Sequence, residues 1–301
     1  MNQKSFTLIE ILVVIVIVGI LSAFIIVSMA GVSSRATIAK GQAFSNSIKN
    51  SLMMNLVSEW RLDDASGTTI QDQWGTNPGT WYGSGGGDYT SPSWRTSSEC
   101  VSGGCLAFDG TDDYVDCGNP TSFYPSPNLT ISFWLKPSLI KNEMVIGKFN
   151  GTSSVSSWTW GAWIYNTGRF AFGIGSGSTN NFNANVYEMT ANNWYQAVIS
   201  YNGSSSNIKF YVNGQYLPGK DIIITVIPRV TNNSYYVAGD LATAYFSGSI
   251  DDVRIYNAAV PVSQVQQNYY MGLNRLFLNN GLAFAEYQER ILNLSDNKAN
   301  N

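Results

Sequence analysis

Residues 129–136 read Leu-Thr-Ile-Ser-Phe-Trp-Leu-Lys, and the four odd-numbered positions of this stretch are all apolar. Alternation of this kind is typical of a β-strand that buries one face. Similar runs follow between clusters of Gly, Asn, Ser and Pro, and Asn213-Gly214 is a strong hairpin signal. The pattern predicts an antiparallel β-sandwich over residues 56–261. Its other candidate strands are Phe170–Ile174, Tyr195–Tyr201, Ile208–Val212, Tyr235–Ala238 and Ser249–Tyr256.

The composition excludes several classes of protein. Charged residues make up 12% of the 301 residues, aromatic residues 13%, and the formal net charge is −3. This low charge with many aromatic residues favours extracellular β-structure, and without a basic run we expect no nucleic-acid partner. The chain contains no histidine. A Ser-His-Asp or Cys-His nucleophile system and the usual zinc sites are therefore excluded.

The N-terminal region carries the strongest functional signal. Residues 11–34, between Glu10 and Arg35, contain no charge and are long enough to span a bilayer core of about 30 Å. Apolar residues then recur every four positions at Phe44, Ile48 and Leu52, so residues 6–55 are predicted to form one long helix. A secretory signal peptide would instead end at a cleavage site after a shorter apolar core.

Residues 4–10 read Lys-Ser-Phe-Thr-Leu-Ile-Glu, which places a carboxylate at the edge of the apolar segment. Such a carboxylate normally marks a function or a partner. This string and the helix after it resemble the type IV pilin and pseudopilin family. The resemblance implies that residues 1–5 are a leader, removed by a prepilin peptidase between Ser5 and Phe6, and that the new Phe6 amine is methylated. It also implies that Glu10 neutralises this amine in a neighbouring subunit. The family normally has Gly at the position of Ser5.

A second resemblance covers the predicted sandwich. Several segments, in the family's order, are similar to the laminin-G-like, concanavalin A-like jelly-roll family. They are residues 60–69 (WRLDDASGTT), 106–115 (LAFDGTDDYV), 131–135 (ISFWL), 210–214 (FYVNG) and 248–257 (GSIDDVRIYN). The resemblance implies two antiparallel sheets.

The same resemblance implies a structural Ca²⁺ site, since this family often holds one such ion. The matching positions are Asp72 and Asp251, and Asn77 would add a carbonyl oxygen, a ligand type that calcium prefers. The alternative is that Asp72 caps a turn and Asp251 accepts hydrogen bonds from backbone donors at the start of a strand.

Three tryptophans lie close together, at Trp158, Trp160 and Trp163. Exposed rings of this kind would stack on a sugar, and Trp158 and Trp160 would share one face of a strand. The alternative is packing in the sandwich core, which aromatic residues dominate. The carboxylates Asp109, Asp112 and Asp113 are interpreted as turn chemistry.

The chain is not expected to be an enzyme. A retaining glycosidase needs two carboxyl groups about 5–5.5 Å apart. The central glutamates are scattered in the sequence and match no paired-acid pattern; they are Glu59, Glu99, Glu143 and Glu188.

Cysteine spacing and the C-terminal region complete the domain organisation. Cys100 and Cys105 enclose a flexible loop compatible with a local disulfide, and Cys117 is either a buried strand residue or a reactive thiol. Residues 262–301 are predicted to form a helical hairpin and tail. Its two helices would cover Val262–Leu278 and Leu282–Leu294, with a turn at Gly281.

These features predict a type IV pilin-like filament subunit that displays a jelly roll for adhesion or for binding a glycan or protein. It would lie in the cytoplasmic membrane before assembly with other pilin subunits, and then on the cell surface. The head, residues 56–301, is large for a repeating major pilin, which favours a minor or tip position. The alternatives are a pseudopilin of a secretion system, an uncleaved membrane-anchored lectin-like protein and a tethered glycan hydrolase.

Overall fold

The structure is a computed structural model, and it describes residues 12, 15, 17, 55–83, 93–124, 127–149, 158–175, 180–224, 232–239, 244–280 and 282–296. The chain divides into two compact units, Met1–Met54 and Asn55–Asn301. In the first unit, Leu12, Ile15 and Ile17 are helical. Asn55, the last residue of the predicted N-terminal helix, lies in a turn. The other residues of that helix, including the rest of the predicted transmembrane segment 11–34, lie outside the described residues.

The second unit consists of short strands followed by two helices. The strands are β1 (Leu56–Trp60), β2 (Thr69–Ile70), β3 (Gly79–Tyr82), β4 (Ser93–Arg95), β5 (Cys105–Asp109), β6 (Tyr114–Asp116), β7 (Asn128–Pro137), β8 (Glu143–Phe149), β9 (Trp158–Ile164), β10 (Arg169–Gly175), β11 (Asn180–Glu188), β12 (Tyr195–Asn202), β13 (Asn207–Val212), β14 (Gln215–Tyr216), β15 (Ile222–Ile223), β16 (Tyr235–Val237) and β17 (Ser247–Tyr256). The helices are α1 (Val262–Asn280) and α2 (Phe284–Asp296).

The strands form two antiparallel sheets. One sheet has nine strands in the order β14-β13-β12-β7-β17-β5-β4, with β1 beside β17 and β15 beside β13. The other has eight strands in the order β11-β10-β9-β8-β16-β6-β3-β2. The stretch 129–136 lies in β7, between β12 and β17, so the alternating sequence lies inside the nine-stranded sheet. The predicted mainly-β antiparallel sandwich is confirmed.

The core lies between the two sheets. Ile131, Phe133 and Leu135 of β7 are buried there, in the register that the sequence alternation predicts. Across the core, Trp60 stacks on Tyr235 with ring centroids 5.6 Å apart. Burying aromatic and aliphatic side chains of this size supplies most of the favourable free energy of folding.

The two helices pack against the outer face of the nine-stranded sheet. Trp134 of β7 points away from the core and stacks on Tyr269 of α1, with centroids 5.5 Å apart. Gly272 lies directly over this indole, and a Cβ at position 272 would overlap it. Ring stacking of Phe277 on Tyr287, at 4.6 Å, joins α1 to α2. Within the described part of the chain, no helix is both long enough and apolar enough to cross a membrane.

Candidate functional site

The outer face of the eight-stranded sheet carries a continuous set of aromatic side chains. Trp163, Tyr236, Tyr114 and Tyr82 come from β9, β16, β6 and β3, and Tyr245 precedes β17. We call these five residues the aromatic face. Tyr82 stacks on Tyr114 with centroids 5.1 Å apart. Tyr114 in turn contacts Tyr236 and Tyr245, at 5.9 and 6.3 Å.

Strand periodicity explains why these rings share one face. In β3, β6 and β16 the neighbouring residues Trp81, Val115 and Tyr235 point into the core, so the adjacent tyrosines point outward. Tyr82 is 46% exposed, whereas Tyr114 is only partly exposed. Burial, with the neighbouring Tyr236 and Tyr82, raises the pKa of Tyr114 to about 12. Its phenol therefore stays neutral at physiological pH and remains a hydrogen-bond donor.

Trp163 lies on the aromatic face because a glycine makes room for it. A Cβ added at Gly161 would lie 2.6 Å from Cη2 of the Trp163 ring. The indole therefore lies over Gly161, in the space that a larger side chain at this position would fill. Met144 of β8 and Tyr236 form the buried base of the same cluster. The result is an aromatic surface crossing five neighbouring strands, from β9 to β3.

Of the three predicted stacking tryptophans, Trp160 and Trp163 lie on opposite faces of the eight-stranded sheet. Trp160 is 0% exposed and packs between the sheets, 5.3 Å from Tyr235. The expectation that Trp160 stacks on a ligand is therefore corrected in favour of core packing. Since residues 160 and 163 are an odd number of positions apart in one strand, their side chains point to opposite faces. Trp158 begins β9, and its side chain lies outside the described residues.

The carboxylate of Asp72, one of the expected calcium ligands, accepts hydrogen bonds from backbone N–H groups. Its Oδ1 accepts hydrogen bonds from the N–H groups of Glu59 and Gly75, at 2.9 and 2.8 Å, and its Oδ2 accepts from Asn77 N–H at 3.1 Å. Burial raises the pKa of Asp72, but these donors outweigh burial and the net pKa is lowered. Asn77 uses its backbone carbonyl to accept from Trp60 Nε1 at 2.8 Å.

Asp251 lies in β17 and holds a different loop. It is fully buried, and its Oδ2 accepts from the N–H groups of Val101 and Ser102 at 2.8 and 2.9 Å. Burial, reinforced by the charge of Asp252, raises the pKa of Asp251 well above its usual value. Both expected metal-ligating carboxylates thus hold loops against strands. The Ca²⁺ site at Asp72, Asn77 and Asp251 stays a prediction.

Among the described residues, the carboxylates whose oxygens gather within 4.8 Å of one another are Asp109, Asp112 and Asp113. Asp113 accepts from the N–H of Asp109 at 3.0 Å, and Asp109 accepts from Thr111 N–H at 2.7 Å. These bonds are turn chemistry of the kind the sequence predicts.

The predicted cysteine loop lies beneath the helices. Cys100 and Cys105 form a disulfide, and both are buried in the cluster that contains Trp134 and Tyr269. Cys117 is buried between the sheets, and burial raises the pKa of its thiol well above the usual value. The geometry therefore favours a structural role for Cys117, which is buried directly after β6, because a protonated and inaccessible thiol is a poor nucleophile.

The two buried glutamates serve the fold. Glu59 pairs with Arg254 at 2.8 Å and with Arg61 at 3.3 Å. Glu143 accepts from the Ser247 N–H at 3.0 Å, and burial raises its pKa to about 7. Neither arrangement gives positive evidence of catalysis.

A cavity of about 390 Å³, lined by both polar and apolar side chains, opens beside β13, on the outer face of the nine-stranded sheet. We call it the β13 cavity. Lys209 Nζ lies 5.3 Å from the Tyr216 ring centroid, and Tyr211 lies 5.7 Å from the same ring. The Tyr216 hydroxyl donates to Asp221 at 3.0 Å. The residues of this cavity and the tyrosines of the aromatic face come from separate strands, so no local sequence pattern predicts either site.

Comparison with protein families gives two matches. A family profile described as "Concanavalin A-like lectin/glucanases superfamily" matches residues 109–266, and one described as "Prokaryotic N-terminal methylation motif" matches residues 1–26. Ser5, Phe6 and Glu10 fall in the second match and lie outside the described residues. No curated protein matches the chain.

Solved structures share the sandwich fold at low identity. Domain 4 of the extracellular arabinanase AbnA from Geobacillus stearothermophilus, solved in complex with arabinotriose, aligns with a TM-score of 0.53 at 17% identity, over 71% of this chain and 97% of that domain. Trypanosoma rangeli sialidase aligns with a TM-score of 0.51 at 14% identity, over 71% of this chain but only 32% of the sialidase. The binding domain of Paraclostridial Mosquitocidal Protein 1 aligns with a TM-score of 0.51 at 12% identity, over 74% and 53% of the two chains.

Proposed function

Because the chain belongs to the concanavalin A-like lectin/glucanases superfamily and carries a prokaryotic N-terminal methylation motif, we propose that it is a type IV pilin-like surface subunit whose jelly roll binds glycans. The precursor lies in the cytoplasmic membrane, and prepilin peptidase removes residues 1–5. The processed subunit then joins other pilins in a surface filament, at a minor or tip position.

The filament part of the proposal is supported by the leader sequence. The segment from Lys4 to Glu10 lies inside the methylation-motif match. After cleavage, the Phe6 amine and the Glu10 carboxylate of a neighbouring subunit pair within the helix bundle. This pairing matters because an unpaired charge in that apolar environment costs several kcal/mol, on the order of 3–5.

The glycan part of the proposal rests on one observation, the aromatic face. Partly exposed rings offer flat apolar surfaces, and the neutral tyrosine hydroxyls add hydrogen-bond donors. Sugars present matching apolar C–H faces and hydroxyls. Domain 4 of the arabinanase, which shares the fold, was solved with arabinotriose. An oligosaccharide is therefore the ligand class that this face fits best.

Mass spectrometry of sheared surface appendages tests the filament part. We expect the N-terminal tryptic peptide to begin with N-methylated Phe6 in the sheared fraction. A peptide that retains residues 1–5 and occurs only in membranes would show an uncleaved anchor. A peptide processed at Phe6 but confined to the cell envelope would show a pseudopilin instead.

An oligosaccharide array, with arabinotriose among its ligands, tests the glycan part. We expect full-chain protein from sheared filaments to bind at least one oligosaccharide. The matched control is Lys209→Ala with Tyr216→Ala, which alters the β13 cavity and leaves the aromatic face intact. Loss of binding in this variant would move the ligand site to the β13 cavity, and an array without any bound oligosaccharide would overturn glycan binding.

A further inference from the structure

Lys148 is an unusual residue for the interior of a sandwich. It lies in β8, its side chain is 0% exposed, and its backbone pairs with Trp160 and Tyr235, whose side chains point into the core. A buried ammonium group is costly unless it is paired. Among the described residues, however, Lys148 takes part in no ion pair.

The partners of Lys148 are neutral. Its Nζ donates to the backbone carbonyl of Asn233 at 2.6 Å and to the side-chain Oδ1 of Asn119. The ring of Tyr124 lies 4.8 Å from Nζ. The Tyr124 hydroxyl also donates to Asn119 Oδ1, at 3.1 Å. The lysine amine and the phenol therefore meet at one side-chain amide, at the edge of the core.

We propose that Lys148 and Asn119 are joined by an isopeptide bond between Nζ and Cγ, formed within the folded jelly roll. The reaction is an amide exchange that needs no cofactor and no second protein. Nζ attacks Cγ, the bond between Cγ and Nδ2 breaks, and Nδ2 takes a proton from Nζ and leaves as ammonia. Every atom of the two residues other than this ammonia remains in the new amide.

The surroundings favour the attack of Nζ on Cγ. Burial lowers the pKa of Lys148 to about 8, against the opposing charge of Asp116, so a substantial fraction of the amine is neutral and nucleophilic at physiological pH. The hydrogen bond from Tyr124 polarises the amide carbonyl and stabilises negative charge that develops on Oδ1. The fold holds amine and amide in contact, which replaces a bimolecular encounter with an intramolecular one.

The bond would connect strands that are not adjacent. Asn119 follows β6 and Lys148 lies in β8, with β16 between these strands in the eight-stranded sheet. A covalent link would therefore join two strands on either side of β16. It would also replace the buried ammonium with a neutral amide, which removes the cost of burying that charge.

A tryptic digest of the full chain, purified from sheared filaments or detergent-extracted membranes, tests the proposal directly. Trypsin cleaves after Arg95, Lys141, Lys148 and Arg169, and Lys136 precedes a proline. With the bond, residues 96–141 and 142–169 appear as one branched peptide that is lighter than the sum of its parts by one ammonia. Peptides 142–148 and 149–169 are then absent.

Two variants supply controls. Lys148→Met removes the amine and Asn119→Ala removes the amide, and each is expected to abolish the branched peptide and the ammonia loss. A wild-type digest with free peptides 142–148 and 149–169 would overturn the proposal and leave Lys148 as a hydrogen-bonded buried lysine. An ammonia loss at another asparagine, with Lys148 still cleaved, would overturn it equally. The wild-type digest decides the matter even if both variants fail to fold.

Discussion

The outer faces of the two sheets both carry aromatic residues, but α1 covers these residues on the nine-stranded sheet, whereas those on the eight-stranded sheet are more open to solvent. Trp134 on the nine-stranded sheet is covered by α1, with Tyr269 stacked on it and Gly272 against it. Tyr82 on the eight-stranded sheet stacks on Tyr114, and nothing in the described chain covers it further. This contrast shows that an outward-pointing aromatic residue is a candidate for ligand binding only where no other described residue covers it.

The largest expected effect is on the covered face. Trp134→Ala removes a fully buried indole between β7 and α1, so it should lower the free energy of unfolding by about 3–5 kcal/mol. Tyr82→Ala on the open face should change it by less than about 0.5 kcal/mol. Urea denaturation of both variants measures this contrast. Equal losses of stability would mean that the two faces do not differ as described.

The next effect concerns the junction that both sheets share. Glu143 of β8 accepts a hydrogen bond from Ser247 of β17, and burial raises its pKa from 4.5 to about 7. Between these values the folded state binds more protons than the unfolded state, so the Glu143 contribution destabilises the fold as pH rises from about 4.5 to 7. The loss amounts to about 3 kcal/mol above pH 7.

The Glu143→Gln variant isolates this contribution. The free energy of unfolding of the variant, minus that of the wild type, should be more positive at pH 8 than at pH 4.5. The reason is that the glutamine stays neutral throughout this range, whereas Glu143 ionises. Urea denaturation at a series of pH values measures the difference. A constant difference between the two proteins across this range would contradict the raised pKa.

Loss of the disulfide should lower the stability of the region around Trp134 and α1 and should leave oligosaccharide binding at the aromatic face unchanged. Cys100 and Cys105 are buried near α1, and replacing both with serine opens a short loop, with an expected cost of about 2 kcal/mol. Thermal unfolding of the double variant, with and without reductant, measures this effect. If oligosaccharide binding also fell in a folded double variant, the two faces would be coupled rather than independent.

The smallest stability effect is expected at Asp72. Its carboxylate accepts several backbone N–H groups, and Asp72→Asn keeps one acceptor oxygen, so stability should fall by about 1 kcal/mol with or without Ca²⁺. Thermal unfolding of the wild type and of Asp72→Asn, in Ca²⁺ and in a chelator, measures the effect of the substitution with and without the ion. A melting temperature that rises with Ca²⁺ in the wild type but not in the variant would establish the predicted calcium site.

The sequence predicts the architecture well because alternation is local. The pattern at 129–136 predicts both the strand and the faces of β7, and the helical period of the C-terminal region predicts its two helices. The sequence does not predict strand β8, since Gly147 and the buried Lys148 interrupt any apolar alternation in Glu143–Phe149.

The candidate site was predictable only in part. The sequence predicts Trp163 as a stacking residue, and that role stays a prediction. Its neighbours Tyr82, Tyr114 and Tyr236 are distant in sequence and meet only through the strand order β9-β8-β16-β6-β3. Their outward direction also depends on which residues the core accepts. Side chains brought together by non-local strand pairing leave no local signal in the sequence.

Ligand binding at the aromatic face is tested most directly by comparing the oligosaccharide affinity of sheared filaments that carry Tyr82→Ala with that of filaments that carry Tyr270→Ala. Both residues are exposed tyrosines, at 46% and 42%, but Tyr270 lies on α1, which covers the opposite sheet. Removing a stacking ring costs about 0.5–1.5 kcal/mol, so we expect Tyr82→Ala to weaken binding about 2- to 12-fold and Tyr270→Ala to leave it unchanged. Equal binding by Tyr82→Ala and the wild type would contradict the assignment of the ligand to the aromatic face.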